Sequence, residues 1–373
     1  MKPWVKTVNV RTNLEKKDSQ KLSELERQTP MNAFVRLRYE RRLDFFSFFG
    51  FEKAWRNYIV EDGGKIMGYV ASLDREVLFN KEKMLLSLLS TLRIHPSFRR
   101  KGVAFQLFST WIKDMETHTC GLMAFYFLRR NKPVMKAIKK YISGYAEELR
   151  VLSYRCLRFN IYQFPAIRSY PTNGFVIREA CEKDMPGIVS LLKDYYKDYN
   201  LQPFFTEDLL KEFIHKSLNS FSIRDFLVAE KDGDMRACLG MWDQSLFRRM
   251  VVEKMGLAWT LVKWLLRIVR LFTKVPIVPG PDEPVRAVYF KFPAFKEAEA
   301  MKYVIAEALN RCRERDYLLA VAGCDPRDGL RRIYEKFFNL KSGMEMYIGA
   351  FCSRLTLRDE DFNRTLYVDI SMD

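Results

Sequence analysis

The predicted secondary structure of the chain repeats once, and this repeat limits the folds that are available to it. Each half has a strand and a polar helix, then a hairpin, an apolar strand, an amphipathic helix and a further strand. The hairpins turn at Asp62-Gly63-Gly64 and at Asp232-Gly233, where glycine tolerates the backbone of a tight turn. We therefore predict two similar α+β units, each a mostly antiparallel sheet flanked by helices.

The helices that follow the two central apolar strands have matching apolar faces. The strands are residues 85–94 and 288–292. Apolar residues then recur at helical spacing: Ala104, Leu107, Phe108, Trp111, Ile112 and Met115 in the first half, and Met301, Val304, Ile305, Ala308, Leu309 and Cys312 in the second. Because 373 residues are many for a single core, we place one domain at 1–170 and another at 171–373.

Composition and charge narrow the class of protein only slightly. With 48% hydrophobic and 29% charged residues, the chain is an ordinary globular protein. Its net charge of +17 favours nucleic acid, anionic lipid or polyphosphate ligands, although a generally solvated basic surface fits equally well. The seven cysteines include no Cys-x-x-Cys pair, and the first residues lack a secretory apolar stretch. We therefore expect no metal site, and a cytoplasmic location that is at most peripheral to a membrane.

One segment, from about 247 to 284, has no counterpart in the first half. Residues 256–274 are rich in Trp, Leu, Val and Ile, yet cations recur along one helical face: Lys263, Arg267, Arg270 and Lys274. Four cations argue against a membrane-spanning helix. Such a helix either lies on an anionic membrane surface or packs in the core with a solvated basic edge, and of the two we favour the core helix.

A strand-to-helix junction in the first half has the properties of a phosphate site. The run Arg99-Arg100-Lys101-Gly102-Val103-Ala104 follows the central strand and opens the amphipathic helix. The first amides of a helix lack intrahelical partners and carry the positive end of its dipole, so they bind phosphate oxygens. Gly102 allows close approach of the backbone, and the three cations add positive charge.

In this context the Arg-x-x-Gly-x-Ala pattern resembles that of the GCN5-related N-acetyltransferase (GNAT) superfamily, and the element order is similar to two such domains in tandem. The resemblance implies a sheet that splays between its fourth and fifth strands, with acyl-CoA in the opening. It also implies these donor-site residues: Leu92 and Ile94 for the pantetheine arm, Arg99, Arg100, Lys101, Gly102, Val103 and Ala104 for the pyrophosphate, and Asn131 for the CoA arm. Asn131 is equally suited to a plain helix cap.

Two departures from the family pattern concern catalysis and the second half. The family's tyrosine position falls at Ile138, and the nearest phenol is Tyr141, which serves as proton donor only if the helix register shifts and otherwise packs. The strand 85–94 carries no carboxylate that could act as base. Residues 292–298 lack the phosphate pattern, so we expect the second half to bind no CoA and to shape the acceptor site or an interface.

The leading hypothesis is therefore an N-acyltransferase that uses acetyl-CoA or another acyl-CoA as co-substrate and an amine of unknown identity as acceptor. One alternative is an acyl-CoA-binding sensor or scaffold without turnover, suggested by the missing tyrosine and carboxylate. Another is an aminoacyl-tRNA-dependent transferase, which the basic charge would suit. The intact CoA-type loop argues against nucleic acid as a partner.

Overall fold

The computed structural model describes residues 10–32, 35–118, 121–129, 131, 151–172, 174–351 and 357–372. Its helices are α1 (Lys16–Arg27), α2 (Val103–His118), α3 (Met185–Tyr196), α4 (Glu207–Lys216), α5 (Leu257–Val269), α6 (Ala298–Glu314) and α7 (Gly329–Tyr334). Its strands are β1 (Val10–Arg11), β2 (Met31–Asn32), β3 (Arg36–Arg41), β4 (Ala54–Asp62), β5 (Lys65–Phe79), β6 (Glu82–Ile94), β7 (Leu122–Leu128), β8 (Val151–Pro165), β9 (Val176–Glu179), β10 (Phe226–Lys231), β11 (Asp234–Trp242), β12 (Arg248–Lys254), β13 (Pro284–Val285), β14 (Ala287–Phe295), β15 (Leu319–Cys324) and β16 (Leu340–Phe351).

Within the described residues, most strands join one large sheet. Its order is β1-β4-β5-β6-β7-β16-β8-β15-β14-β11-β10-β9, and a smaller sheet has the order β13-β12-β3-β2. The neighbours β6 and β7, and β14 and β15, are parallel, whereas the other pairs are antiparallel. Helices pack against both faces of the large sheet. The α+β class predicted from the sequence is confirmed.

The two halves of the sheet exchange strands at its centre. Strand β16, from the second half, lies between β7 and β8 of the first half. Strand β8 in turn pairs with β15 of the second half, with Leu319 opposite Pro165. The sheet is therefore continuous across residue 170, and the domain limits 1–170 and 171–373 stay a prediction.

The amphipathic helices bury the faces that their apolar spacing predicts. Helix α2 packs Val103, Leu107 and Trp111 against the first half of the sheet, and all three are fully buried. The Trp111 indole N–H donates a 3.0 Å hydrogen bond to the Ser72 hydroxyl, so its polar group is satisfied in the core. Helix α6 buries Met301, Val304, Ile305, Ala308, Leu309 and Cys312 against the second half.

A bulge interrupts the central strand of each half at an equivalent position. In β6 the register shifts opposite Tyr69 and Ala71, and Thr91 has a positive φ of 58°. In β14 the shift lies opposite Cys238 and Gly240, and Phe292 has a φ of 53°. A left-handed backbone at a β-branched or bulky residue is uncommon, so its occurrence in both halves supports the repeat inferred from the sequence.

Helix α5 contradicts the core-helix interpretation. None of its residues is buried, and most of its apolar side chains face solvent, with Leu257 being 87% exposed. The prediction was wrong because an apolar periodicity shows that a helix has an apolar face but does not show what covers it. No helix in the described part of the chain is long and apolar enough to cross a membrane.

Candidate functional site

The first half of the sheet opens between β6 and β7. These parallel strands pair only from Leu86 with Leu122 to Leu89 with Phe125. Beyond that point they diverge, which leaves residues 90–94 of β6 facing residues 126–128 of β7 across a gap. We call this gap the first opening.

The backbone of β6 presents polar groups to the first opening. The His95 N–H donates to the Met67 carbonyl at 2.9 Å, so His95 hydrogen-bonds toward β5. Since the hydrogen-bonding direction alternates along an antiparallel strand, the backbone groups of Leu92 and Ile94 point the other way, into the opening. The Leu92 carbonyl accepts a 3.1 Å hydrogen bond from Arg93 Nη1.

The loop from β6 to α2 is shaped by two left-handed residues. Arg100 has a φ of 64° and Gly102 a φ of 82°, a conformation that glycine adopts at little cost. The Gln106 N–H donates to the Gly102 carbonyl at 3.1 Å, which starts the helix. The amides before it belong to the helix N-terminus and have no intrahelical acceptor, so they form a concave set of donors for an anion.

The basic side chains of this loop add positive charge and are exposed to solvent. Arg99, Arg100 and Lys101 are exposed, whereas Val103 is buried in the core beneath. The Lys101 ammonium lies 5.1 Å from the centre of the Phe98 ring. Helix α2 can approach the sheet closely because residue 68 is glycine, where a Cβ would lie 2.6 Å from Val103 Cγ1. The structure therefore brings the predicted residues 99–104 to the entrance of the first opening.

His95 caps the turn that precedes this loop. Its Nδ1 accepts a 3.2 Å hydrogen bond from the Ser97 N–H. Partial burial lowers the pKa of His95, and the positive charges of Lys65 and Arg99 lower it further. The side chain thus has the role of a turn residue.

The remaining predicted residues lie beyond the end of β7. Asn131 is exposed, and its N–H donates to the Leu128 carbonyl at 2.8 Å. This places Asn131 on the far side of the first opening from Leu92 and Ile94. Ile138 and the candidate proton donor Tyr141 lie outside the described residues, so the role of Tyr141 stays a prediction.

A cavity of about 500 Å³ lies between the two halves, on the face of the sheet opposite α2. It reaches the first opening at Tyr126 of β7, and it is also lined by Leu88 of β6, next to the end of the paired region. Tyr126 belongs to the core face that also holds Ala124, whereas Phe125 and Phe127 face α2. Other lining residues come from both halves: Phe51, Glu52, Arg75, Phe159, Leu201, Phe204, Phe213, Lys291, Phe292, Met346, Tyr367, Asp369 and Met372.

Of the ion pairs in the wall of this cavity, the two most buried are Arg75–Glu52 and Lys291–Asp369. Arg75 contacts Glu52, with its Nε 2.8 Å from Oε1. Lys291 donates to Asp369 and, at 3.1 Å, to the Ser371 hydroxyl. Burial lowers the pKa of Lys291; burial also opposes ionisation of Asp369, but the adjacent ammonium holds the pKa of that carboxyl below its ordinary value.

These cavity residues were not predicted from the sequence, although the sequence around one of them is unusual. Lys291 is a single cation inside an apolar strand, which is a costly arrangement unless a partner is present. Tyr126 and Asp369 had no comparable signal, because their roles depend on pairing between distant parts of the chain. Within the described residues, no cluster of His, Cys, Asp and Glu could hold a metal ion.

The second half of the sheet opens in the same way but is filled. Strands β14 and β15 pair only from Ala287 with Leu319 to Tyr289 with Val321. The Tyr195 side chain packs against the cores on both faces of the sheet, so it crosses this second opening. Its ring centre lies 4.8 Å from that of Phe295, and its hydroxyl donates to Asp328 at 2.6 Å.

The short connection from β14 to α6 also differs from the loop of the first half. Only two residues separate Phe295 from Ala298, where α6 begins, so no wide anion-binding turn can form. Asp328 is buried beside this junction, and burial raises the pKa of its carboxyl against the effect of the Tyr195 hydrogen bond. A buried acid at this point is a poor neighbour for a pyrophosphate.

Comparison with known proteins agrees with this geometry. Residues 20–142 match the model of the acetyltransferase (GNAT) family. A GCN5-related N-acetyltransferase from Sphaerobacter thermophilus is 11% identical, with a TM-score of 0.52 over 81% of this chain and 82% of its own. Saccharomyces cerevisiae N-myristoyltransferase with bound myristoyl-CoA is 11% identical, with a TM-score of 0.57 over 97% of this chain and 85% of its own.

A third solved structure is the GCN5-related glucosamine N-acetyltransferase region of a fungal multi-domain GH3 β-N-acetylglucosaminidase. It is 12% identical, with a TM-score of 0.59 over 92% of this chain and 38% of its own. A search of curated proteins found no match.

The fold is thus that of GNAT-type proteins, and residues 20–142 match the acetyltransferase (GNAT) family, whose members are CoA-dependent N-acyltransferases. The resemblance to this family is confirmed, whereas the tandem arrangement of two such domains stays a prediction.

Proposed function

We propose that the protein transfers an acyl group from acyl-CoA to an amine, with the donor bound in the first opening. The observation that carries this proposal is the loop 99–104, which has helix N-terminal amides and exposed cations beside the gap where β6 no longer pairs with β7. A pyrophosphate needs several N–H donors and positive charge, and a pantetheine arm needs strand-like hydrogen bonds.

In this proposal the donor runs from the α2 side of the sheet to the cavity. The pyrophosphate binds residues 99–104, and the amides of the pantetheine pair with Leu92 and Ile94. The thioester then lies near Leu88 and Tyr126, where the opening meets the cavity. Asn131, across the gap, would hydrogen-bond to the CoA arm.

The cavity would receive the acceptor amine. A free alkyl amine has a pKa near about 10.4, so it must lose a proton before it attacks the thioester carbonyl. The ammonium gives one proton to water or a cavity carboxylate, and the neutral amine then attacks. The C–N bond forms, the C–S bond breaks, the nitrogen loses a second proton, and the departing thiolate takes up one proton. Tyr126 has a phenol where the first opening meets the cavity, and it is our candidate proton donor.

The second half would contribute a wall of the acceptor cavity and no second donor site. Tyr195 fills its opening, and Lys291, Phe292 and Asp369 line the cavity. These different roles of the two halves agree with the absence of the phosphate pattern from residues 292–298.

Acyl-CoA binding by the full chain tests the proposal. Calorimetry with acetyl-, octanoyl- and myristoyl-CoA would compare wild type with Gly102→Glu. We expect affinity to fall by about 100-fold, because the added carboxylate would repel the pyrophosphate and a side chain would strain the left-handed backbone. Gly233→Glu is the matched control, since Gly233 also has a positive φ, of 75°, and lies in the second half. Equal binding by both variants would refute the donor site.

Turnover distinguishes an enzyme from a sensor. Release of free CoA thiol in the presence of a panel of small amines, amino acids and peptides would support transfer. Tight acyl-CoA binding without thiol release from any donor and amine would instead support the sensor or scaffold.

A further inference from the structure

The apolar face of α5 points away from the protein. The most exposed large apolar residues in and just after the helix are Leu257 at 87%, Leu261 at 70%, Leu265 at 61%, Trp264 at 59%, Ile268 at 56%, Leu271 at 79% and Phe272 at 82%. From Leu257 to Ile268 they follow helical spacing and form one continuous stripe. An exposed apolar surface of this extent marks an interaction site.

Two cations of the segment pair with carboxylates of the protein, and a third lies beside the apolar stripe. Lys263 is only 19% exposed and lies 3.8 Å from Glu283, and Arg270 lies 3.5 Å from Asp316. The Arg267 guanidinium lies 5.4 Å from the Trp264 ring centre, which keeps it beside the apolar face. Residues 254–281 contain five cations and no carboxylate.

The helix is held in this orientation by the chain on either side of it. It follows β12, which pairs with β3 in the small sheet. After it, Val275 and Val278 return to the interior, so only the stretch between β12 and Val275 projects outward. Its outward side is therefore a fixed surface of the folded protein.

We propose that residues 257–274 dock on an anionic membrane surface, with the apolar stripe in the interface and the cations Arg267 and Lys274 against lipid phosphates. A tryptophan-containing apolar face bordered by arginine and lysine is suited to the boundary between headgroups and acyl chains. The helix has 13 residues, about 20 Å, and is too short to span the hydrocarbon core.

Charge selects lipid over a second copy of the chain as the occupant. Two copies joined through this stripe would bring Arg267 and Lys274 of each copy together with no carboxylate in either segment, whereas an anionic bilayer supplies the opposite charge. The inference goes beyond the proposed function, because none of these residues contributes to the first opening or the cavity.

Vesicle binding tests the inference with the full chain. We expect co-sedimentation with phosphatidylcholine–phosphatidylserine vesicles, little with phosphatidylcholine alone, and a blue shift of tryptophan emission that Trp264→Phe diminishes. Leu265→Glu combined with Leu271→Glu should weaken binding by at least about tenfold. Val176→Glu combined with Leu218→Glu is the matched control, because those side chains are also exposed, at 65% and 54%, but lie elsewhere.

Neutralising the cations gives a second readout. Arg267→Gln and Lys274→Gln should each weaken binding by about fivefold at low salt. Equal melting temperatures and equal acyl-CoA affinity would show that the variants are folded. The inference would be overturned if the protein did not bind anionic vesicles, or if the Leu265/Leu271 variant bound as well as its control. It would also be overturned if sedimentation showed a dimer, without vesicle binding, that the Leu265/Leu271 variant abolishes.

Discussion

The central strands β6 and β14 share a bulge, a positive-φ residue and a parallel neighbour that diverges after a few residues, yet the two openings that result differ. The first leads from an exposed cationic loop to a cavity, while Tyr195 crosses the second. On the cavity side the second opening is also covered by the C-terminal segment, where Ile370 packs so close that a Cβ at residue 323 would lie 2.6 Å from its Cγ2.

The difference shows that divergence of two parallel strands is not sufficient to form a donor site. A splayed strand offers backbone groups in both halves, but an anion also needs a turn long enough to aim helix amides at it. In the first half that turn includes residues 95–102, and in the second it is reduced to two residues. The second half keeps the sheet geometry and uses its opening for packing.

The largest effect should come from breaking the ion pair that anchors the C-terminal segment at the second opening. Lys291→Met leaves the Asp369 carboxylate buried without its partner, so we expect a loss of about 3–5 kcal/mol in the free energy of unfolding. Lys291→Met combined with Asp369→Leu should cost clearly less, because no charge is left buried. Urea denaturation measures both, and equal losses would show that the pair is not coupled.

The same pair predicts a pH dependence. The folded-state pKa of Asp369 is lowered, so the carboxylate contributes stability above its unfolded pKa, near about 3.8, and loses that contribution as the pH falls through the folded value. The stability advantage of wild type over the apolar double variant should therefore shrink in acid. An advantage that grows as the pH falls below about 4 would contradict this assignment.

Tyr126 and Tyr195 provide a matched pair of substitutions at the two openings. Tyr126→Phe should lower turnover by about 100-fold, since it removes the candidate proton donor, and should leave acyl-CoA affinity unchanged. Steady-state thiol release at saturating donor measures the effect. Unchanged turnover would exclude Tyr126 as donor and direct attention to Tyr141.

Tyr195→Phe should have the opposite effect, a loss of stability without a loss of turnover. It removes the hydroxyl that donates to the buried Asp328, so the free energy of unfolding should fall by about 1–3 kcal/mol. Acyl-CoA affinity and turnover should not change, because the second opening binds no donor in our proposal. A gain or loss of acyl-CoA stoichiometry in calorimetry would show that the second opening takes part in binding.

The comparison of the halves also shows what the sequence could predict. The repeat and the loop 99–104 were accessible because both are local patterns of periodicity, glycine and charge. The exchange of β8 and β16 was not, since pairing between distant strands leaves no local trace. The interpretation of α5 failed for a related reason: its spacing specifies an apolar face, but only the tertiary structure shows that the face is uncovered.

The smallest effect should come from the cations of the loop. Arg100→Gly removes a charge and relieves the left-handed backbone, which glycine adopts freely, so stability should be unchanged or slightly higher. Because exposed charges contribute little individually, acyl-CoA affinity should fall only about two- to fivefold, and the loss should diminish as salt is raised. Lys113→Gln, an exposed cation further along α2, is the control for charge alone. A loss that persists at high salt would mean that Arg100 positions the loop backbone, and that the difference between the two openings lies in turn geometry more than in charge.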